Sequence, residues 1–192
     1  MTADRDNPLT DREVLLCVTG GIACYKAADL ASRLVARGTG VTVAMTNAAT
    51  RFVTPLTFQA LTRRRVATSL WNAAEDYRSQ HLALTEAADV MVIAPATANT
   101  LAKMAAGIAD ELVSALALSA PGACELLVAP AMNNRMWAAP ATQDNVATLR
   151  GRGMHVVGPA EGRLACGTSG IGRMAEPEQI VAAICELIAP AV

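Results

Sequence analysis

The chain has 192 residues, 53% of them hydrophobic, and a net charge of −1 at neutral pH. A hydrophobic fraction of this size excludes a disordered protein, and the length suits a single α/β domain. The charge is nearly balanced and no basic face is evident, so nucleic acid is not expected as a partner. Because Pro121, Gly122 and Glu125 interrupt the longest apolar region, we expect no membrane span.

Residues 1–12 are polar and lack the apolar core of a signal peptide, which predicts a disordered leader, a folded domain at 13–192 and a cytoplasmic location. Five cysteines without a Cys-x-x-Cys pair indicate neither a disulfide framework nor a zinc site, so we expect no metal. Phe, Tyr and Trp occur only twice each, so small aliphatic side chains must build the core. The apolar surface that such side chains leave favours a homo-oligomer.

A βαβ unit begins the predicted fold. An apolar run predicts a strand at 14–19, helical spacing predicts a helix at 22–36, and a second strand is predicted at 41–45. This succession indicates a parallel sheet. The turn Gly20-Gly21 lets backbone amides approach a phosphate or a flavin, although two glycines also fit a plain tight turn.

The region after the βαβ unit contains an arginine run and one of the two histidines of the chain. The run Arg63-Arg64-Arg65, after a short predicted helix at 55–61, is interpreted as a solvated rim rather than a phosphate site. His81 follows a polar loop, where an imidazole can transfer protons or simply cap a helix at the surface. His155 lies inside an apparent strand and is interpreted as structural.

A third strand is predicted at 89–94, where Pro95 ends it, and Asn99 or Thr100 is expected to cap a helix that begins near Leu101. The remaining predicted elements are helical segments at 107–119, 140–150 and 178–188 and strands at 126–129 and 154–157.

The stretch 130–137, Pro-Ala-Met-Asn-Asn-Arg-Met-Trp, directly follows a predicted strand. Asn133 offers a donor and an acceptor to a carboxylate or amide, and Met132 and Met136 can pack against a planar ligand. The alternative is a strand-to-helix turn with Asn as the cap and Met and Trp in the core. Loops at the carboxyl ends of parallel strands share one edge of the sheet, so this loop should converge with those after the first and third strands.

A glycine-rich loop is predicted at 159–173, around Leu164-Ala165-Cys166. Loops of this length in a compact domain are usually lids or binding loops. A thiol in a mobile loop suits closure over a substrate, whereas a flexible loop with an incidental cysteine is the alternative.

Five motifs, in chain order, carry a resemblance that covers about residues 14–187. They are Thr19-Gly20-Gly21-Ile22-Ala23 with Tyr25-Lys26, His81-Leu82-Ala83-Leu84, the stretches 94–100 and 130–137, and Leu164-Ala165-Cys166-Gly167 with Gly172-Arg173-Met174. Together they resemble the homo-oligomeric flavin-containing cysteine decarboxylase family. The resemblance implies a flavodoxin-like, doubly wound α/β subunit that binds FMN and assembles as trimers or dodecamers.

The resemblance also implies roles for individual residues. His81 and Cys166 would be catalytic, and His81 would face a flavin held by a neighbouring subunit. Substrate contacts would come from Asn133, Met136, Ala165, Gly167 and Arg173. Cofactor contacts would come from Gly20, Gly21, Ile22, Thr46, Phe52, Pro95, Ala96, Thr97, Ala98 and Ala131.

The implied reaction is the FMN-dependent decarboxylation of 4′-phosphopantothenoylcysteine to 4′-phosphopantetheine in coenzyme A biosynthesis. Direct loss of carbon dioxide would leave a carbanion without an electron sink. Oxidation of the thiol to a thioaldehyde, with FMN taking the hydride, creates that sink, and decarboxylation then gives an enethiolate. His81 would act as acid or base, and Cys166 would supply a proton as the hydride returns.

Two alternatives remain. An oxidative peptidyl-cysteine decarboxylase would stop at a C-terminal enethiol, and Cys166 argues against it because only the coenzyme A enzyme re-reduces its product. A non-catalytic regulatory homologue tends to lose one of three positions, yet His81, Asn133 and Cys166 are all present. Bacterial members are commonly fused to a phosphopantothenate–cysteine ligase, so a separate ligase is a candidate partner here. No role is expected for the other cysteines, Cys17, Cys24, Cys124 and Cys185.

Overall fold

The structure, a computed structural model, describes residues 7–71 and 80–189. Five parallel strands form its central sheet in the order β2-β1-β3-β4-β5. These strands are β1 Glu13–Val18, β2 Gly40–Met45, β3 Val90–Ala96, β4 Glu125–Pro130 and β5 His155–Val156. This order is that of flavodoxin-like doubly wound sheets, which confirms the predicted fold class and puts the topological switch point between β1 and β3.

Helices cover both faces of the sheet. They are α1 Cys24–Ala36, α2 Pro55–Thr62, α3 Gln80–Glu86, α4 Ala98–Ala106, α5 Leu112–Ser119, α6 Asn134–Ala138, α7 Pro140–Gly151 and α8 Pro177–Ile188, and a 3₁₀ turn lies at Ala49–Arg51. Alternate residues of β1 enter different cores: Leu16 packs with α1 and α8, and Leu15 with α4, α5 and α7. Burial of β1 on both faces of the sheet explains why its sequence is a continuous apolar run.

The predicted glycine-rich loop is in fact an antiparallel hairpin of β6 Ala160–Arg163 and β7 Ser169–Arg173. The prediction of a loop was wrong because Gly162, Gly170 and Gly172 lower the strand propensity that a sequence pattern detects. The hairpin stands apart from the central sheet as a separate two-stranded sheet.

Two boundaries around β3 and α4 also differ from the prediction. β3 does not end at Pro95 but continues to Ala96, and an irregular register with β4 accommodates the missing proline N–H. Thr97, rather than Asn99 or Thr100, caps α4: its side chain accepts a hydrogen bond from the backbone N–H of Thr100. Thr97, Asn99 and Thr100 all carry short side-chain oxygens that can cap a helix, so the sequence alone did not distinguish Thr97 as the cap.

The helical segment predicted from residue 107 begins later. Gly107, with φ of +72°, ends α4 in the left-handed conformation, and Glu111 then caps α5 in a capping box with Ser114. The glycine was therefore the end of one helix rather than the start of the next.

Residues 7–12, assigned to the predicted disordered leader, pack onto the fold; residues 1–6 of that leader lie outside the described part. The Leu9 side chain is fully buried in the core, and its carbonyl accepts a hydrogen bond from the Thr39 hydroxyl at 3.2 Å. The folded unit therefore includes residues before Glu13. Across the two described stretches, no helix has the length and hydrophobicity needed to cross a membrane.

Candidate active site

Three strand-end loops are joined at the carboxyl edge of the sheet. Thr19, the buried residue after β1, donates its hydroxyl to the Pro95 carbonyl at 2.6 Å and accepts from the Thr97 N–H at 3.1 Å. The turn after β1 also contacts the loop after β2, since a Cβ at Gly20 would overlap Ala48. Glycine is required at this position by close approach of backbone, and the loops after β1 and β3 meet as predicted.

These loops, the loop after β4 and the β6–β7 hairpin surround a cavity of about 1030 Å³. This volume is large enough for a cofactor and part of a substrate. Gly21, Ile22 and Ala23, just before α1, and Thr97 and Ala98, at the start of α4, all line the cavity. The N-termini of two helices, with the positive ends of their dipoles, therefore border it, which favours a ligand with an anionic group.

Large apolar side chains stay exposed around the cavity. Ile22 and Tyr25 are each 62% exposed, and Met136 is 49% exposed. Side chains of this size normally avoid water when they lie together. They are suited to cover a planar ligand or to contact a second protein surface.

Asn133 has a fixed orientation at the start of α6. Its Oδ1 caps the helix by accepting from the Arg135 N–H at 2.8 Å, so its Nδ2 points the other way and donates to Cys166 Sγ at 3.1 Å. The cap assigns the amide oxygen and nitrogen without ambiguity. The two interpretations of this stretch thus coexist: Asn133 is a helix cap, and the same side chain presents a donor to the cavity.

The hairpin docks against the loop that carries Asn133. The Met132 N–H donates to the Gly172 carbonyl at 2.9 Å, and a Cβ at Gly172 would overlap the Met132 carbonyl. A Cβ at Gly170 would lie 3.2 Å from the Asn134 side chain. Only a strand without side chains on this face can approach so closely, so both glycines help to bring the hairpin to the Asn133 loop.

Cys166 lies at the tip of this hairpin. The Gly167 N–H donates to the Leu164 carbonyl at 2.9 Å, and the Leu164 N–H donates to the Thr168 carbonyl at 2.8 Å. Gly167 has φ of +86°, so residues 165–167 form a three-residue hairpin loop with glycine in the left-handed position. The turn holds the thiol toward Asn133.

Hydrogen bonds lower the pKa of the exposed Cys166 thiol. The Thr168 hydroxyl contributes most, followed by the Thr168 backbone N–H, and the Asn133 amide adds to them. In contrast, burial raises the pKa of the other thiols: Cys17, Cys24, Cys124 and Cys185. Cys166 is therefore the cysteine that gives up its proton most readily.

A buried cation connects the hairpin base to α1. Lys26 Nζ donates to both carboxylate oxygens of Glu176 at 3.0 Å and to the Met174 carbonyl at 3.3 Å, and Arg173 also pairs with Glu176. Lys26 lowers the pKa of the Glu176 carboxyl. Lys26 belongs to one of the five motifs, but no role was predicted for it. Its position on the apolar face of a predicted helix already indicated that its side chain is buried.

The cavity brings most of the predicted site residues together. Its lining includes Gly20, Gly21, Ile22, Thr46, Thr97, Ala98, Ala131, Asn133, Met136, Ala165, Cys166, Gly167 and Arg173. Pro95 and Ala96 lie buried behind it, where the Ala96 carbonyl accepts from the Ala131 N–H at 3.1 Å. Two predicted residues, the half-exposed Phe52 and His81 in α3, are not part of this lining. Among the described residues, no His, Cys, Asp and Glu group could hold a metal.

His155, interpreted as structural, lies in β5 at the opposite side of the sheet from β2, with its Nε2 3.5 Å from a Glu125 carboxylate oxygen. Arg64 of the arginine run pairs with Glu13 and donates to the Thr42 hydroxyl at 3.0 Å. Neither residue lines the cavity.

Comparison with known proteins identifies the family. Residues 3–189 match the family described as Flavoprotein. The coenzyme A biosynthesis bifunctional protein CoaBC of Vibrio vulnificus is 48% identical over 93% of this chain, which spans only 44% of that relative. The probable phosphopantothenoylcysteine decarboxylase of Streptococcus mutans is 42% identical, with 91% of this chain and 98% of that protein covered. The chain therefore spans less than half the length of the bifunctional relatives.

Two solved structures share the fold over nearly the whole chain. A Cys-to-Ser mutant of PPC decarboxylase, complexed with pantothenoylaminoethenethiol, has a TM-score of 0.80 at 32% identity and covers 91% of this chain and 96% of its own. The FMN-dependent cysteine decarboxylase SpaF has a TM-score of 0.80 at 30% identity, with 94% and 99% covered. The resemblance carried by the five motifs is thus confirmed: the chain belongs to the Flavoprotein family.

Proposed function

We propose that this chain catalyses the FMN-dependent decarboxylation of 4′-phosphopantothenoylcysteine to 4′-phosphopantetheine in coenzyme A biosynthesis. The observation that carries the proposal is the Asn133 amide, 3.1 Å from the Cys166 thiol at the wall of a cavity bordered by two helix N-termini. The name of the Streptococcus mutans relative, which this chain matches over 98% of that protein's length, supports the substrate.

The residues present fit FMN. N–H groups at Gly21, Ile22 and Ala98 would hold its phosphate at the two helix N-termini, and Thr46 and Ala131 would flank the rest of the cofactor. Pro95 and Ala96 shape the wall from behind. Bound FMN supplies a two-electron acceptor that takes up a hydride and later returns it.

The protein's own residues position the substrate and its protons. Asn133 Nδ2 holds the substrate carboxylate, while Oδ1 remains on the Arg135 N–H. The hairpin, with Ala165 and Gly167 beside the thiol, covers the substrate and excludes water. Cys166 Sγ holds the proton that goes to the carbon from which the carboxylate has left.

A second copy of the chain completes the site, in a trimer or a dodecamer. His81 is outside the cavity lining of its own chain, and the next residue, Leu82, is 45% exposed. The exposed Ile22 and Tyr25 provide apolar surface at the cavity mouth that a neighbouring copy would bury. His81 then acts as acid or base on the substrate bound by its neighbour.

Shared sites predict that two inactive variants complement each other. His81→Asn and Asn133→Asp should each lose nearly all turnover, but co-expression should restore activity at about a quarter of the sites, because a mixed assembly pairs an intact His81 with an intact Asn133. Turnover of the co-purified mixture measures this. A mixture that stays inactive, although both variants keep flavin and assembly size, contradicts a site shared between copies.

The proposed function is tested by mass spectrometry, after absorbance shows that the purified protein contains flavin. A product that lacks only carbon dioxide supports the proposal. The second candidate, an oxidative peptidyl-cysteine decarboxylase, is favoured by the similarity to SpaF, named only as a cysteine decarboxylase. It predicts that 4′-phosphopantothenoylcysteine is untouched while a peptide with a C-terminal cysteine loses carbon dioxide and two hydrogens. Inertness toward both substrates with FMN bound would indicate a regulatory homologue.

Cellular location and partner follow from the same proposal. The five described cysteines are all free thiols, which suits the reducing cytoplasm. A phosphopantothenate–cysteine ligase, on a separate chain or fused to this one, would make the substrate.

A further inference from the structure

Thr168 is close to the reactive thiol but was not among the predicted site residues. Its Oγ1 lies 3.1 Å from Cys166 Sγ, within hydrogen-bond distance. Its backbone carbonyl accepts from the Leu164 N–H at 2.8 Å, which closes the hairpin loop. Thr168 is therefore fixed to the same rigid turn as Cys166, and the hydroxyl moves with the sulfur when the hairpin moves.

Cys166 Sγ has two side-chain neighbours that can donate to it, and they differ in what binding does to them. Asn133 Nδ2 belongs to the loop after β4, and in the proposed function it donates to the substrate carboxylate. Donation to the carboxylate takes one donor away from the sulfur without turning the Asn133 side chain, whose Oδ1 stays on the Arg135 N–H. The Thr168 hydroxyl belongs to the hairpin itself and stays with the sulfur.

We propose that Thr168 is a positioning residue for Cys166: its hydroxyl orients the thiol and donates to the sulfur once the proton has left. The proposal rests on the proposed function for the destination of that proton. The S–H bond of Cys166 breaks, the proton goes to the enethiolate carbon that lost the carboxylate, and the electron pair stays on sulfur. The hydride removed in the first half of the reaction completes the reduction at the sulfur-bearing carbon, and water reprotonates the thiolate.

The hydroxyl is a better candidate for this task than the nearby charges. Charged side chains on the hairpin and on the elements packed against it are Glu161, Arg163, Arg173, Arg135, Lys26 and Glu176. Arg173 is paired with Glu176 at the hairpin base, far along β7 from the tip. The lowered pKa of Cys166 has hydrogen bonds, not one of these charges, as its causes. A neutral donor can stabilise a thiolate without attracting the substrate carboxylate to the wrong place.

The test compares Thr168→Val, which keeps the shape but removes the hydroxyl, with Thr168→Ser, which retains it. The first readout is the pH dependence of Cys166 alkylation in the flavin-loaded protein without substrate, followed by peptide mass spectrometry. Removing a donor to the thiolate should move the Val profile to higher pH and slow alkylation at neutral pH by about three- to tenfold. The Ser profile should stay with that of the wild type.

The second readout is product composition with 4′-phosphopantothenoylcysteine. The Val variant should release a larger share of product two hydrogens poorer, and Ser should restore the wild-type ratio. Coinciding alkylation profiles for Val and wild type overturn the proposal, as does an unchanged product ratio. If wild-type protein leaves the substrate untouched, the proposed function fails, and a shifted Val profile still assigns the hydroxyl to the sulfur. Thermal melts of both variants control for folding.

Discussion

Replacing Cys166 by Ser should stop the reaction at a product two hydrogens poorer than 4′-phosphopantetheine. In the proposed reaction the first half does not need the thiol, so hydride removal and loss of carbon dioxide should continue. The return step needs an acid at the hairpin tip, where contacts from Thr168 and Asn133 lower the pKa of the thiol. A serine hydroxyl in the same place is too weak an acid to replace it.

An anaerobic assay makes this effect as large as it can be. Wild-type protein should turn over many times, because each cycle regenerates oxidised flavin. The Cys166→Ser variant should make one equivalent of the oxidised product per flavin and then stop. Cys185→Ser is the matched control, since Cys185 lies in α8 away from the cavity lining and should leave turnover intact. If Cys166→Ser released the fully reduced product at the wild-type rate, the Cys166 thiol would have no part in the mechanism.

The central sheet could be predicted because its strands are buried on both faces. Val14 to Val18 and Leu126 to Ala129 form continuous apolar runs between turn residues, and no long-range information is needed to recognise them. The shared edge of the sheet then followed from parallel topology alone. This is why the loops after β1, β3 and β4 could be assigned to one site without any knowledge of the contacts between them.

The contacts that hold the site together were not predictable in the same way. Lys26 and Glu176 are 150 positions apart in the sequence, and the Thr19 hydroxyl meets a carbonyl 76 positions away. Such pairs depend on how helices and loops pack against each other, and the local periodicity of the sequence contains no information about that packing. The hairpin was missed for a related reason: Gly170 and Gly172 are required by close approach to the Asn133 loop, although glycine has a low strand propensity.

The position of His81 relative to the site could not be predicted for a different reason. Its motif predicted a role near the flavin, but in the described residues it lies outside the cavity of its own subunit. A residue that acts on a neighbouring copy cannot be joined to its site by the fold of one subunit. The proposal for His81 therefore depends on assembly, and co-expression of complementary variants tests it directly.

Asn133→Asp should lower kcat/KM by about 100-fold or more while leaving the fold almost unchanged. Asp caps a helix as well as Asn does, so Oδ1 can keep its hydrogen bond to the Arg135 N–H. The variant loses Nδ2, the donor that faces Cys166 and the proposed carboxylate position. A hydrogen bond to a charged group contributes about 1.5–3 kcal/mol, and a new negative charge opposite a carboxylate adds repulsion to that loss.

Asn134→Asp is the control that separates charge from position. Asn134 is the first residue of α6, packs against Gly170 and does not line the cavity, so an added carboxylate there should lower kcat/KM by less than about threefold. Steady-state kinetics and thermal melts on both variants measure the two effects. Equal losses of kcat/KM in the two variants would mean that any added negative charge near the hairpin slows the reaction. A loss confined to Asn133→Asp would mean that the amide donor itself, held in place by its role as a helix cap, binds the group that leaves.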